Sequence, residues 1–100
     1  MEIKGKVHFI GEVTQVSDTF KKREFVIEFS ENPQYPEFVK LEFIQDKCAL
    51  LDTITLGSEV EVSFNLKGRE WTNKQFEKQY FNTLQAWKIN VLSDNDDTAF

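Results

Sequence analysis

Ile3, Gly5, Val7, Phe9, Gly11 and Val13 alternate with Lys4, Lys6, His8, Ile10 and Glu12, a long run of period two near the start of a 100-residue chain. That alternation predicts a β-strand with the first set facing a core and the second facing solvent. Gly5 and Gly11 fall on the inward face, where a small barrel bends sharply and a side chain would be crowded. A strand this long has the reach to join both halves of a small closed sheet.

The rest of the chain supplies the partners. After the polar Ser17-Asp18-Thr19, a second strand is predicted from Lys22 to Ser30 with Phe25, Ile27 and Phe29 on one face. Glu31 to Pro36 reads as a loop, because neither Pro33 nor Pro36 can donate to a ladder. Phe38 to Gln45 is a third strand, with Val39, Leu41 and Phe43 inward and Phe38, Lys40, Glu42 and Ile44 outward. Asp46 is the expected N-cap of a short helix through Leu50, Leu51 and Thr53, ended by Gly57. A fourth strand follows from Ser58 to Trp71, then a polar hairpin loop from Thr72 to Lys78, then a fifth strand from Gln79 to Leu92. In the fifth, Leu84 and Ala86 imply one inward phase and Trp87, Ile89 and Val91 the other, so a bulge is expected near Ala86. Three strands, a helix and two long strands make the order of an all-β, five-stranded OB-fold barrel, with the helix between strands three and four. A sandwich needs about seven strands and has no room here.

Composition bounds the function. One hundred residues make one domain, expected over 1–92, with 93–100 as a disordered acidic tail. The apolar runs fall far short of a membrane span, and Met1-Glu2-Ile3-Lys4 lacks the pattern of a secretion signal. Cys48 is the single cysteine, which excludes an internal disulfide and fits a reducing, cytoplasmic setting. Net charge is −5; Asp94, Asp96 and Asp97 hold three of these charges, so the residues before the tail come to −2. Any polyanion would therefore have to be met by a local cluster of cations rather than by the global field.

Such a cluster is predicted on the fourth strand. With Val60, Val62, Phe64 and Leu66 inward, Lys67, Arg69 and Trp71 share the outward face. Two cations beside a flat aromatic suit single-stranded nucleic acid, where the backbone needs positive charge and unpaired bases need a stacking partner. The alternative is a barrel rim whose Trp71 packs on the hairpin loop. Lys74 and Lys78 flank that loop as candidate phosphate contacts. Tyr80 either stacks a base or closes the barrel end. On the other strands Phe38 is a stacking, core or dimer residue, Lys40 lies beside it, and Lys21, Lys22 and Arg23 form either a phosphate clamp or a solvated basic turn. Trp87 reads as core or subunit interface. No metal is expected, since His8 stands alone, and no cofactor or catalytic group either, for want of a phosphate loop or a second histidine.

The segment Gly57-Ser58-Glu59-Val60-Glu61-Val62 through Gly68-Arg69-Glu70-Trp71 to Lys78-Gln79-Tyr80-Phe81-Asn82-Thr83 resembles the C-terminal half of bacterial single-stranded DNA-binding proteins. The opening Lys6-Val7-His8-Phe9-Ile10-Gly11-Glu12-Val13 is similar to their first strand. The whole chain looks closest to a short family of OB proteins from Bacteroidetes and their phages, DUF3127-like. The resemblance implies sequence-nonspecific coating of single-stranded DNA, with RNA as an alternative polymer, and stacking by Trp71 and Phe38. The family's strand-three tryptophan is a phenylalanine here. The tail, Asp94, Asp96 and Asp97 ahead of a terminal Phe100, is similar to the acidic tip by which those proteins recruit replication and repair enzymes, with Ala99 in place of the usual proline. Exposed strand-one edges, with Ile10 and Ile44 outward, imply a homodimer or homotetramer. The competing expectation is a protein-binding OB adaptor or structural oligomer that binds no nucleic acid.

Overall fold

A computed structural model describes residues 1–30 and 34–93. Five strands, β1 (Glu2–Ser17), β2 (Phe20–Phe29), β3 (Glu37–Ile44), β4 (Glu59–Thr72) and β5 (Lys78–Ser93), close a barrel in the order β1-β2-β3-β5-β4. A 3-10 helix, Gln45–Thr53, lies between β3 and β4. This is the OB barrel expected from the element order. The closure is uneven. β1 pairs with β4 from Glu2 to Lys6 and with β2 from Lys6 to Ser17, whereas β3 meets β5 at a single parallel bridge, Glu42 to Gln85.

Alternation on β2, β3 and the first half of β4 builds the core. Phe25, Ile27, Leu41, Phe43, Val60 and Val62 are all at most 1% exposed, and the Phe25 and Phe43 rings stack at 5.2 Å. Fully burying one such side chain is worth about 1.5–3 kcal/mol, so these residues carry most of the barrel's stability. The glycine expectation holds at Gly5, where an added Cβ would run into the Glu28 carbonyl oxygen and lie 2.6 Å from Ile27 Cγ2.

On β1 the expected inward set does not persist. The register shifts between Val7 and Phe9, so that Val7 faces Ile27 while Phe9 faces Val26. His8 is the extra residue, and the bulge reverses the phase at Phe9 and Ile10, before further register shifts between Ile10 and Val13 and between Gln15 and Ser17. Ile10, expected outward, therefore packs against the core, while Phe9 and Val13 are 54% and 48% exposed. The expected Asp46 cap is also corrected: the helix starts at Gln45, follows Ile44, and has no side-chain cap. Gln45 takes a left-handed φ of 54°, and its side chain fixes that kink to the β1–β2 turn. Its Nε2 donates to the Thr19 carbonyl at 3.0 Å and its Oε1 accepts from the Lys21 N–H at 3.3 Å. Cys48 and Leu51, three apart and both buried, share the inner face that a three-residue turn provides. Gly57, at φ 90°, donates to the Val7 carbonyl at 2.8 Å and so stitches the helix exit onto β1.

The expected bulge on β5 is present. Ser63 pairs with Lys88 and Phe64 with Ala86, which leaves Trp87 as the extra residue. Trp87 is 47% exposed and so is not part of the core. Beyond this point β4 and β5 leave the barrel together as a two-stranded ribbon.

Candidate nucleic-acid interface

The ribbon is paired without interruption from Phe64 opposite Ala86 to Thr72 opposite Lys78. Every β4 residue from Asn65 to Thr72 is exposed, including Leu66, which was expected to point into the core. Cross-strand partners share a face, so the register assigns each residue. Lys67 with Thr83, Arg69 with Phe81, and Trp71 with Gln79 occupy one face; Gly68 with Asn82, Glu70 with Tyr80, and Thr72 with Lys78 occupy the other. The expected Lys67/Arg69/Trp71 ledge is thus brought together on a solvent face. Trp71 is 47% exposed, and among the described residues neither Lys67 nor Arg69 meets a carboxylate. The Arg69 guanidinium lies over the Phe81 ring, 5.5 Å from its centroid.

Tyr80 and Lys78 stand apart from this ledge. Both lie on the reverse face, where Lys78 Nζ is 3.8 Å from Glu70 Oε1. Lys74 sits in the tip turn, exposed.

At the base of the ribbon, where β3 and β5 diverge beyond their single bridge, an open groove of about 580 Å³ runs between the ribbon and the outer face of β2 and β3. Lys22, Glu24, Lys40 and Glu42 line its sheet side, Arg69 and Phe81 its ribbon side, and Phe20 its end. The sequence reading anticipated Lys22, Lys40 and Arg69 here and missed Phe20 and Phe81. Counting cross-strand register outward from the Thr72–Lys78 loop would have found Phe81, because it places that ring opposite Arg69. Phe20 had no comparable signal, since only the folded β1–β2 hairpin swings it toward the ribbon. Glu24 tempers the cations: its Oε2 is 3.5 Å from Lys40 Nζ and 3.9 Å from Lys22 Nζ.

Phe38 precedes Lys40 on the same outward phase of β3. It is 54% exposed, its ring tilted against His8 at 4.8 Å, with His8 Nδ1 3.6 Å from Glu28 Oε1. Arg23 has a different use. In phase with Phe25 and Ile27, it turns inward and ties three elements together: Nε donates to the Gly11 carbonyl at 2.7 Å, and one terminal nitrogen donates to the Cys48 carbonyl at 3.3 Å and to Asp52 Oδ1 at 2.6 Å. Its side chain is only 16% exposed, so it is a structural cross-link and not a surface clamp. Burial pushes the neighbouring Cys48 thiol above its usual pKa, offset in part by Lys21 and Arg23; its Sγ donates to the Phe43 carbonyl. Among the described residues no group of three or more His, Cys, Asp or Glu side chains is placed to hold a metal. The tail residues Asp94, Asp96, Asp97 and Phe100 lie outside the described residues.

Residues 2–90 match the family described as a domain of unknown function, DUF3127. Among solved structures, the fold is similar to two crystal structures of the mitochondrial single-stranded DNA binding protein Rim1 from S. cerevisiae, the second labelled with selenomethionine. Each covers 94% of both chains at 16% identity, with TM-scores of 0.68 and 0.64. At that identity the likeness is one of fold. No curated protein matches the chain.

Proposed function

The chain belongs to the DUF3127 family, and we propose that it binds single-stranded DNA along the ribbon ledge and the adjoining groove. One observation carries the reading: an ammonium, a guanidinium and an indole share an exposed strand face, with no carboxylate neutralising them among the described residues. The groove extends this ledge with Lys22, Lys40 and two phenylalanine rings, and Phe38 continues the same sheet face. Cations along a rim with rings between them suit a strand whose phosphates track the charge while its bases stack. The fold shared with Rim1, described as a single-stranded DNA binding protein, supports the same reading.

Residues 1–92 would be the binding domain. Residues 93–100, with Asp94, Asp96, Asp97 and Phe100, would recruit replication or repair proteins, Phe100 filling an apolar pocket while the aspartates steer the approach. The protein would work in the cytoplasm as a homodimer or homotetramer and catalyse nothing. A second reading, a protein-binding adaptor or structural oligomer, draws support from Phe9 and Trp87, 54% and 47% exposed and off the ledge.

Fluorescence titration separates them. Of the two tryptophans, Trp87 is replaced by Phe so that Trp71 alone reports. Adding a mixed-sequence single strand at low salt is expected to quench Trp71, with binding weakening by a log–log salt slope of about 0.7 per phosphate contacted. An unchanged Trp71 signal, with no retention of the oligonucleotide, overturns the proposal and favours the adaptor. Competing the bound DNA with RNA of the same sequence decides the polymer.

A further inference from the structure

The groove contains something a phosphate path would avoid. Glu24 and Glu42 stand directly opposite each other across β2 and β3, and both line the groove. Like charges facing each other across a ladder are destabilising. Glu24 is compensated by Lys22 and Lys40, whereas Glu42, half-buried and paired by backbone to Gln85, has no cationic partner among the described residues. Phosphates would be repelled from this floor and held instead by the rim cations, Lys67 and Arg69 among them. A strand held by its backbone on the rim turns its bases into the groove, between Glu42 on the sheet side, Phe81 on the ribbon side and Phe20 at the end.

An ionised carboxylate only accepts hydrogen bonds. The bases differ sharply in what they donate. Guanine presents two adjacent donors on its Watson–Crick edge, N1–H and the 2-amino group, which match the two oxygens of one carboxylate. Cytosine and adenine each present one amino donor beside a ring acceptor. Thymine presents one N–H between two carbonyl oxygens, both repelled by a carboxylate. We propose that the groove reads base identity and favours guanine, with Glu42 as the specificity-determining residue. The proposal rests on the single-stranded nucleic-acid reading and departs from it in one respect: coating is not indifferent to base.

The test uses three fluorescein-labelled oligonucleotides of equal length on the full chain, read by anisotropy at fixed salt. One is all thymine, one carries guanine at every third position, and one carries hypoxanthine there, which keeps N1–H and lacks the 2-amino group. Guanine is expected to bind about tenfold tighter than thymine, within the range of a bidentate base contact, with hypoxanthine between them. Glu42→Gln, isosteric and on an outward position, is expected to collapse the guanine preference to within about twofold, while thymine binding holds or tightens as a negative charge leaves the groove. Equal affinity of the wild type for all three strands overturns the guanine proposal alone, as does a preference that survives in Glu42→Gln with an unchanged melting curve. Binding to none of the three overturns the parent reading as well.

Discussion

Val60, Val62 and Phe64 on β4 are shut inside the barrel, whereas Leu66, two residues further in the same phase, is 56% exposed. The two halves of the β4–β5 hairpin are both antiparallel and pleated, joined across the Trp87 bulge, and differ in what lies beside them. β1 accompanies β4 only as far as Ser63, opposite Glu2, and β3 touches β5 only at Gln85. Past those points no third strand pairs with the ribbon among the described residues. Alternation therefore assigns a side chain to a face, while a third strand decides whether that face is core. The barrel half spends its alternation on stability; the ribbon half is free to carry charge and rings that the fold does not need.

The largest expected contrast is in stability. Phe43→Ala removes a ring that is 0% exposed and stacked on Phe25, and should cost about 3–5 kcal/mol, enough to abolish cooperative unfolding in a domain this size. Trp71→Ala on the ribbon should leave the urea midpoint within about 0.5 kcal/mol of wild type. A comparable loss from Trp71→Ala would mean that the ribbon is packed against something in solution, and the division between the halves would fail.

The next contrast divides two adjacent basic residues. Arg23→Ala breaks charge-assisted bonds joining β1, β2 and the helix, and should cost about 2 kcal/mol of stability. Lys22→Ala should leave stability nearly intact and lower the salt slope of DNA binding by about 0.7. A reversal, with Lys22 structural and Arg23 setting the salt slope, would require the β2 phase to be shifted by one residue.

That pair also shows what a linear reading could deliver. The barrel order was legible because β2, β3 and the first half of β4 keep strict period two, and the ledge was legible because Lys67, Arg69 and Trp71 keep it too. Arg23 was misassigned although it lies in phase with Phe25 and Ile27, because its cationic neighbours Lys21 and Lys22 masked the parity. The β1 phase was lost at His8 for a different reason: a bulge is a property of the strand pair, and nothing in the local composition marks the inserted residue. Phe81 and the groove depend on where β3 and β5 part, a tertiary fact with no local sequence sign.

In binding, the same comparison predicts that Trp71→Ala weakens single-stranded DNA affinity by about 1–3 kcal/mol, the worth of a stacked base, at unchanged melting temperature. Trp87→Ala, equally exposed but on the barrel at the bulge, should leave affinity unaltered. Equal losses from both would spread the binding surface onto the barrel wall and away from the ledge.

The smallest effect tests whether ribbon and barrel melt as one. Phe76 sits at the tip with a left-handed φ of 64° and 88% exposure, a backbone state that costs a non-glycine residue about 1 kcal/mol or more. The turn tolerates it because Asn73 braces the loop: its Oδ1 accepts from the Gln75 and Glu77 N–H groups at 2.9 Å each, and its carbonyl accepts from the Phe76 N–H at 3.0 Å. Phe76→Gly removes the strain and loses almost no packing, so the ribbon should gain about 0.5–1 kcal/mol after the added chain entropy of glycine. Hydrogen exchange of the Gln75 and Glu77 amides should then slow by roughly two- to fivefold. If the ribbon opens ahead of the barrel, the midpoint followed by core probes stays where it was. A core midpoint that rises in step with the tip amides would make hairpin and barrel a single cooperative unit, and the boundary drawn at Ser63 would then be one of exposure and not of folding.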